Sequence, residues 1–471
     1  MTSAQWLETA MAARLQGDDA RAIALCEERL AEDPNDADAL SLLGVSIAET
    51  GNALRARPLI EKALQQNPTH WRYLLNRSVL EEVEGNINAA AQSARQSTQT
   101  GGDRFESWGR LGDLLGRVGD FAGAAEALAN ALNINPQLPV LALRLAGARF
   151  KIGDYDGANK ALDLFEPHAP GHPHAIKLRT HIARQTRDWD GLLNSAKKWL
   201  EVAGPEEQEP ARVALAYAYA QGGVYARAAE TYQPVAAREP LSAEHLATYA
   251  KYILGARDMD GAKAVYEKAI SVDPNHADAL SGLARIAVYL GKMEEAANYA
   301  RKAVAADPNN IESFSQLVFA TGGRLTPDEI TQLAKISDNE DQQLEQRARG
   351  WFSVGDAYHR EKNAAKAFDA WSRANALKRE IADHEGDARY DRAQVEATTK
   401  KTVDYFGKAP AVSEDKKSRR PAPIFIVGMP RSGTTLLESA IAAHSQVAAG
   451  GELPLLPYAK EQIFDLSLIH I

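Results

Sequence analysis

Two kinds of residue recur through most of this chain at one interval. Pro34 and Pro68, then Pro136 and Pro170, fall on a grid of 34 residues, and Gly17, Gly51, Gly85, Gly119 and Gly153 fall on a parallel one. After an offset of two residues the proline grid resumes at Pro240, Pro274 and Pro308. Small residues keep the same interval: Ala22, Ala56, Ala90, Ala124 and Ala158, then Ala228, Ala262 and Ala296. A period of this length demands paired helices stacked into a right-handed α-solenoid from about Ser3 to Asn310, with little strand before Ile424.

The clearest copy reads Trp108-x-x-Leu111-Gly112-x-x-Leu115, then Gly119-Asp120-Phe121, Ala124, Leu128, Ala131 and Pro136. Gly112 and Ala124 let two antiparallel helices touch, larger residues fill the gaps, the Gly119 region turns the chain, and Pro136 is expected to start the next helix. This pattern resembles the tetratricopeptide repeat. About nine copies occupy residues 1–310, with the one around Thr180 to Trp199 degenerate. Residues 311–347 match poorly, and a further copy at 348–381 carries Trp351-x-x-Val354-Gly355-x-x-Tyr358, Ala367, Trp371 and Ala374. Residues 382–420 read as a connecting helix, Tyr390 to Phe406, and a linker. Trp6, Trp71, Trp108, Tyr155, Trp189, Tyr225 and Tyr232 recur inside the repeats and are expected in the packing between helices. Tyr217 and Tyr219, or Tyr249 and Tyr252, are candidates to face a ligand in the concave groove.

Beyond residue 421 the chain changes character. Ile424-Phe425-Ile426-Val427 is an apolar, mostly β-branched run suited to a central parallel strand. It leads into Gly428-Met429-Pro430-Arg431-Ser432-Gly433-Thr434-Thr435-Leu436. The two glycines allow backbone to close round an anion, and the unpaired N–H groups of the following helix would point at it. The Gly428 to Gly433 spacing matches half of a nucleotide-triphosphate loop, but Thr434 stands where the phosphate-binding lysine belongs, which argues against ATP hydrolysis. Leu437, Ala440 and Ile441 then share one helical face, the helix runs out near His444-Ser445, and Val447-Ala448-Ala449 precedes a Gly450-Gly451 turn that presents Glu452.

This string closely resembles the 5′-phosphosulfate-binding loop of sulfotransferases, and the segment through Glu452 is similar to that of tyrosylprotein sulfotransferases. The resemblance implies an α/β P-loop domain beginning at 421 and running through 471. It implies 3′-phosphoadenosine-5′-phosphosulfate as sulfuryl donor, held by Gly428, Pro430, Arg431, Ser432, Gly433, Thr434 and Thr435, with no metal. Arg431 would stabilise charge on the sulfuryl oxygens, and Glu452 would take the acceptor's proton. Plainer readings stand beside these. Arg431 is also what a surface cation looks like, Thr434 and Thr435 also suit a helix cap, and Glu452 before Leu453-Pro454 also suits a helix start. His444 reads as a helix-end residue, and Glu438 as solvated.

The chain as a whole resembles bacterial proteins that place tetratricopeptide repeats before a sulfotransferase domain. Such a domain is expected to continue for roughly another hundred or more residues to close one sheet and core, so the run Leu466 to Ile471 is expected to break off inside it. Two functions remain open: sulfuryl transfer to a hydroxyl or phenol of a peptide or glycan, with the repeats binding acceptor or partner, or a protein-interaction scaffold whose partial domain is inactive.

Composition narrows the setting. With 471 residues, 45% hydrophobic, the chain is long enough for more than one domain. Cys26 is the single cysteine, so no internal disulfide forms, in keeping with a reducing, cytoplasmic compartment. No basic, apolar leader opens the sequence and no apolar run approaches the ~20 residues of a membrane span. A formal charge of −9 disfavours general nucleic-acid binding. The stretch from Lys408 to Arg431 at the domain junction is locally basic: Lys408, Lys416, Lys417, Arg419, Arg420 and Arg431 stand against Glu414 and Asp415. A solvated tether explains it, and a minor pull on an anionic donor is also open. Glu81, Glu82 and Glu84, with Glu206, Glu207 and Glu209, read as solvated, and no Cys/His spacing resembles a zinc site.

Overall fold

The structure, a computed structural model, describes residues 3–238, 240–385, 392–406, 424, 426 and 433–447. The chain divides into two compact units, Met1–Arg238 and Glu239–Ile471. The first is built of helix hairpins: α1 (Ser3–Leu15) with α2 (Asp19–Glu32), α3 (Ala37–Glu49) with α4 (Ala53–Gln66), and α5 (Trp71–Val83) with α6 (Ile87–Thr100). There follow α7 (Phe105–Arg117) with α8 (Phe121–Ile134), α9 (Pro139–Lys151) with α10 (Tyr155–Phe165), α11 (Pro173–Gln185) with α12 (Trp189–Val202), and α13 (Gln208–Gln221) with α14 (Tyr225–Ala236). In the second unit α15 (Ala243–Gly255) pairs with α16 (Met259–Val272), α17 (Ala277–Tyr289) with α18 (Met293–Ala306), and α21 (Leu344–Arg360) with α22 (Ala364–Glu385). Between the last two pairs lie α19 (Ile311–Thr321) and α20 (Pro327–Asp338). Two further helices are α23 (Arg392–Phe406) and α24 (Thr434–Ala442). Among the described residues there is no strand.

The repeating alanines are the points where helices meet. Ala22, Ala56, Ala90, Ala158, Ala228, Ala262 and Ala296 have no exposed surface, and Ala124 has 1%. Gly44, Gly112 and Gly355 occupy one place in three hairpins, and a Cβ on any of them would collide with Ile60, Leu128 or Trp371 of the paired helix. Close approach of two helices is therefore what excludes a side chain there. Successive hairpins share one apolar layer. Leu111, Leu114, Leu128, Leu141, Leu145, Leu162 and Ile182, drawn from α7 to α11, are buried in a single cluster.

The turns follow from the glycine grid. Gly17, Gly51, Gly119 and Gly153 have φ of +74° to +89°, which a glycine adopts at no steric cost, and each precedes an N-cap side chain that accepts the N–H three residues on. Asp120 bonds to Gly123 N–H at 2.9 Å and Asp154 to Gly157 N–H at 2.9 Å. Where the glycine is missing the turn survives: Arg187, Arg257 and Lys362 take φ of 56°, 68° and 60° ahead of Asp188, Asp258 and Asn363.

Three expectations change. Pro136 does not start a helix but lies in the turn after α8, and Pro139 takes the first helical position of α9, where its missing N–H costs nothing. Glu81, Glu82 and Glu84 are not simply solvated: Glu82 takes both Arg110 and Arg117, Glu84 takes Arg57, and Glu81 accepts from Ser93 at 2.6 Å. Glu207 and Glu209 likewise pair with Lys177 and Arg238.

Candidate functional site

The anion loop enters the structure at its C-terminal edge. Gly433 caps α24 with φ +89° and ψ 17°, and the first helical bond runs from Leu437 N–H to its carbonyl at 3.0 Å. Helix geometry then leaves the N–H groups of Thr434, Thr435 and Leu436 without a partner inside the helix, and they point to the space ahead of it. Among the described residues, a Cβ on Gly433 would meet nothing within 4 Å. Thr434 and Thr435 are first-turn residues and the capping place belongs to Gly433, with no side-chain cap bond. Their hydroxyls stand beside the orphan N–H groups.

Gly428, Pro430, Arg431, Ser432 and Glu452 lie outside the described residues, as do Phe425 and Val427 of the expected strand. Ile424 and Ile426 are non-helical, and Ile424 is 62% exposed. His444 ends the helix: its N–H reaches Ile441 O at 3.1 Å and its ring Nδ1 accepts Gln446 N–H at 3.2 Å.

A second group of charged side chains lies on the first helices of the hairpins in the first unit. Most cations there are answered by a carboxylate. Arg14 meets Glu49 at 2.7 Å, Arg110 meets Glu82, and Arg144 meets Asp113 at 2.8 Å. Burial raises the Asp113 carboxyl above the usual range, and the two arginines oppose that rise.

Further along the row the balance is lost. Lys177, His181 and Arg184 follow one another at four- and three-residue spacing on one face of α11. Lys151 ends α9 nearby, and the Arg184 guanidinium sits 4.6 Å from the centre of the Tyr217 ring on α13. Phe150 and Trp199 flank His181 at 6.1 and 5.7 Å between ring centres. Burial, then Lys177, Arg184 and Lys151, push the His181 imidazole below its ordinary value, and Glu207 pulls against them. Lys177 reaches Glu207 at 2.8 Å. For Lys151 and Arg184 the contacts found among the described residues are aromatic rings, Phe121 at 6.0 Å and Tyr217. Tyr217 is one of the four tyrosines that the sequence offers as groove candidates, and it is half-buried, whereas Tyr252 is buried at 6% exposure. The cations were not singled out from sequence, since Lys151, Lys177 and Arg184 lie 26 and 7 residues apart and off the 34-residue grid.

A cavity of about 580 Å³ opens between α10, α11 and α12. It exists because α10 stops after 11 residues where α8 runs for 14. Pro167 has no N–H with which to carry the helix on. The guanidinium on its wall, Arg179, is already spent on Glu166 at 2.9 Å, Asn159 at 3.0 Å and Asp163.

Among the described residues no cluster of side chains is arranged to hold a metal ion, and no helix is long and apolar enough to cross a membrane.

Known proteins match the two parts separately. Residues 117–182 and 254–318 match the tetratricopeptide repeat, and residues 423–466 match the sulfotransferase family. An uncharacterized protein of Aquifex aeolicus is 33% identical over 137 residues, which is 28% of this chain, and the chain spans only 17% of that curated relative's length. Solved structures resembling it include Pseudomonas aeruginosa pilF, 21% identical over 44% of this chain and 94% of its own, with a TM-score of 0.39. Another is a tetratricopeptide repeat protein of Parabacteroides merdae, 18% identical over 53% of this chain and 98% of its own, with a TM-score of 0.37. The chain thus carries stretches that match the tetratricopeptide repeat and, at residues 423–466, a stretch that matches the sulfotransferase family.

Proposed function

We propose that this chain serves sulfuryl transfer from 3′-phosphoadenosine-5′-phosphosulfate to a hydroxyl or phenol, with its repeats holding the acceptor or a partner protein. The match of residues 423–466 to the sulfotransferase family carries the reading, because it falls on the string from Gly428 to Leu436 that the chemistry of an anion loop singles out. The start of α24 fits the donor's 5′-phosphosulfate: a left-handed glycine with three orphan N–H groups behind it. Bound there, the donor supplies an activated sulfuryl group.

The chain's own residues do the rest in this reading. Gly433 and Thr434 N–H groups with the Thr434 and Thr435 hydroxyls grip the 5′ anion, alongside Gly428, Pro430 and Ser432. Arg431 takes the charge that grows on the sulfuryl oxygens, and Glu452 removes the acceptor's proton as the acceptor oxygen attacks sulfur in line and the bond from sulfur to the 5′-phosphate oxygen breaks, releasing 3′-phosphoadenosine-5′-phosphate. Thr434 in the lysine place sets the loop apart from nucleotide-hydrolysing enzymes.

Calorimetric titration with 3′-phosphoadenosine-5′-phosphate and with ATP, beside a transfer assay with labelled donor, tests it. Binding of the former over ATP, weakened by Thr434→Ala and Thr435→Ala, is expected. Magnesium-dependent ATP hydrolysis without sulfuryl transfer would overturn it. A protein-interaction scaffold is the second reading, favoured by the share of the chain given to helix hairpins. Partner binding with no donor affinity would decide for it.

A further inference from the structure

We propose that Lys151, Lys177, His181 and Arg184, with Phe150 and Tyr217, form a docking site for an acidic peptide segment of a partner protein. The proposal rests on the reading that the repeats bind protein, and it names the chemistry of what they bind.

Charge is the first ground. In a chain of formal net charge −9, three cations act on one imidazole, and the carboxylate named against them among the described residues, Glu207, is engaged by Lys177. Elsewhere on the same row of helices arginines meet their carboxylates within the fold: Arg14 with Glu49, Arg110 with Glu82, Arg144 with Asp113. Lys151 and Arg184 are exposed and rest on aromatic rings. Such stacking orders the long side chains and leaves their N–H donors facing solvent, where a carboxylate can take them.

Shape is the second ground. Lys151, Arg184 and Tyr217 belong to three different helices, α9, α11 and α13. Neighbouring packed helices lie about 8–10 Å apart, and an extended chain covers that distance in about three residues at ~3.3 Å each. Charges spread in this way match successive side chains of an extended segment better than one compact phosphate, which would draw its donors to a point. The half-buried rings of Phe150, against His181, and Tyr217, against Arg184, give apolar surface to the segment's other face.

Fluorescence anisotropy on the whole chain tests the site with two labelled ten-residue peptides, one of alternating Glu and Gly and one of alternating Lys and Gly, and with a single-stranded oligonucleotide. The acidic peptide should bind, and K151E with R184E together should weaken it about tenfold or more, since each exposed ion pair contributes up to ~1 kcal/mol and reversal turns attraction into repulsion. Arg227→Glu, on α14, should leave affinity unchanged. Between pH 7.5 and 5.5 binding should tighten, because a bound anion favours the imidazolium of His181, and His181→Gln should remove that dependence without unfolding the helix. Equal binding of the lysine peptide, or indifference to the double reversal, overturns the proposal. Tighter binding of the oligonucleotide at the same residues overturns the assignment to a peptide. None of these readouts uses sulfuryl transfer, so a failed transfer assay leaves the docking site standing, and a failed docking assay leaves the transfer reading standing.

Discussion

A Cβ placed on Gly112 would lie 2.6 Å from Cγ of Leu128 and 3.3 Å from the carbonyl of Ala124, so α7 and α8 touch through the absence of a side chain. Leu128 is 3% exposed and has no room to withdraw. Gly112→Leu should therefore destabilise by about 1–3 kcal/mol through overpacking. Gly112→Ala should also destabilise, by less, because its clash is offset by up to ~1 kcal/mol of gained helix propensity. Gly147, inside α9, has nothing within 4 Å of a Cβ, so Gly147→Ala should stabilise by up to ~1 kcal/mol. Denaturant midpoints that move the same way for both alanine variants would rule out this packing.

The turn position held by glycine in most hairpins predicts a gain where it is not. Arg257 takes φ 68° immediately before the N-cap Asp258. A non-glycine residue in the left-handed region costs roughly 1–2 kcal/mol. Arg257→Gly should recover about 1 kcal/mol of that, less whatever the Arg257 side chain contributes through its own contacts. The reverse change, Gly119→Ala at φ +86°, should cost a similar amount. Thermal melts of the two variants check both signs.

How far such positions could be read in advance depends on whether one short stretch of chain carries the constraint. The glycine grid, the alanine grid and Gly112 were legible because each repeat solves the same contact and so repeats the same residue. The string from Gly428 to Leu436 could be singled out because its residues are contiguous, and it lies within the stretch that matches the sulfotransferase family. Pro136 was misplaced because proline suits both the turn after a helix and the first residue of the next, and the sequence here supplies a second proline, Pro139, for the latter. Glu82 was read as solvated because its partners, Arg110 and Arg117, come from the next hairpin. The basic patch escaped for the same reason: its parts sit on three helices and meet only when the hairpins stack.

Cys26 offers a test of the first hairpins. It has no exposed surface, and burial, with Asp36 and Glu27 adding to it, pushes the thiol up to about 12. At pH 8 its thiolate fraction should be about three orders of magnitude below that of an ordinary thiol with pKa near 8.5. A thiol-reactive chromophore should then titrate essentially no cysteine in the native chain and a single one after denaturation. Rapid labelling of the native protein would mean that α2 does not pack as described.

Burial gives His70 and His181 a common acid sensitivity. Both are held below the ordinary value of 6.5, His70 mainly by burial and His181 by burial and then by Lys177, Arg184 and Lys151. Between the ordinary and the depressed pKa the unfolded chain binds more protons than the folded one, so stability must fall as pH falls. The contribution is complete above about 6.5, is lost as pH drops towards the folded values, and changes no further below them. Asp113, whose carboxyl is raised, acts in the opposite sense, with stability lost as pH rises through its window above 3.8. The comparison that isolates His181 is therefore a variant and not a pH scan of the parent alone. Repeat arrays need not unfold in one step, so a local measurement on α11 suits better than a global melt. Amide hydrogen exchange in α11 should lose protection between pH 7.5 and 5.5, after correction for the intrinsic pH dependence of exchange, and His181→Gln should lose clearly less. Identical losses in both would mean that the imidazole is protonated in the folded chain and that the cations around it do not bear on its charge.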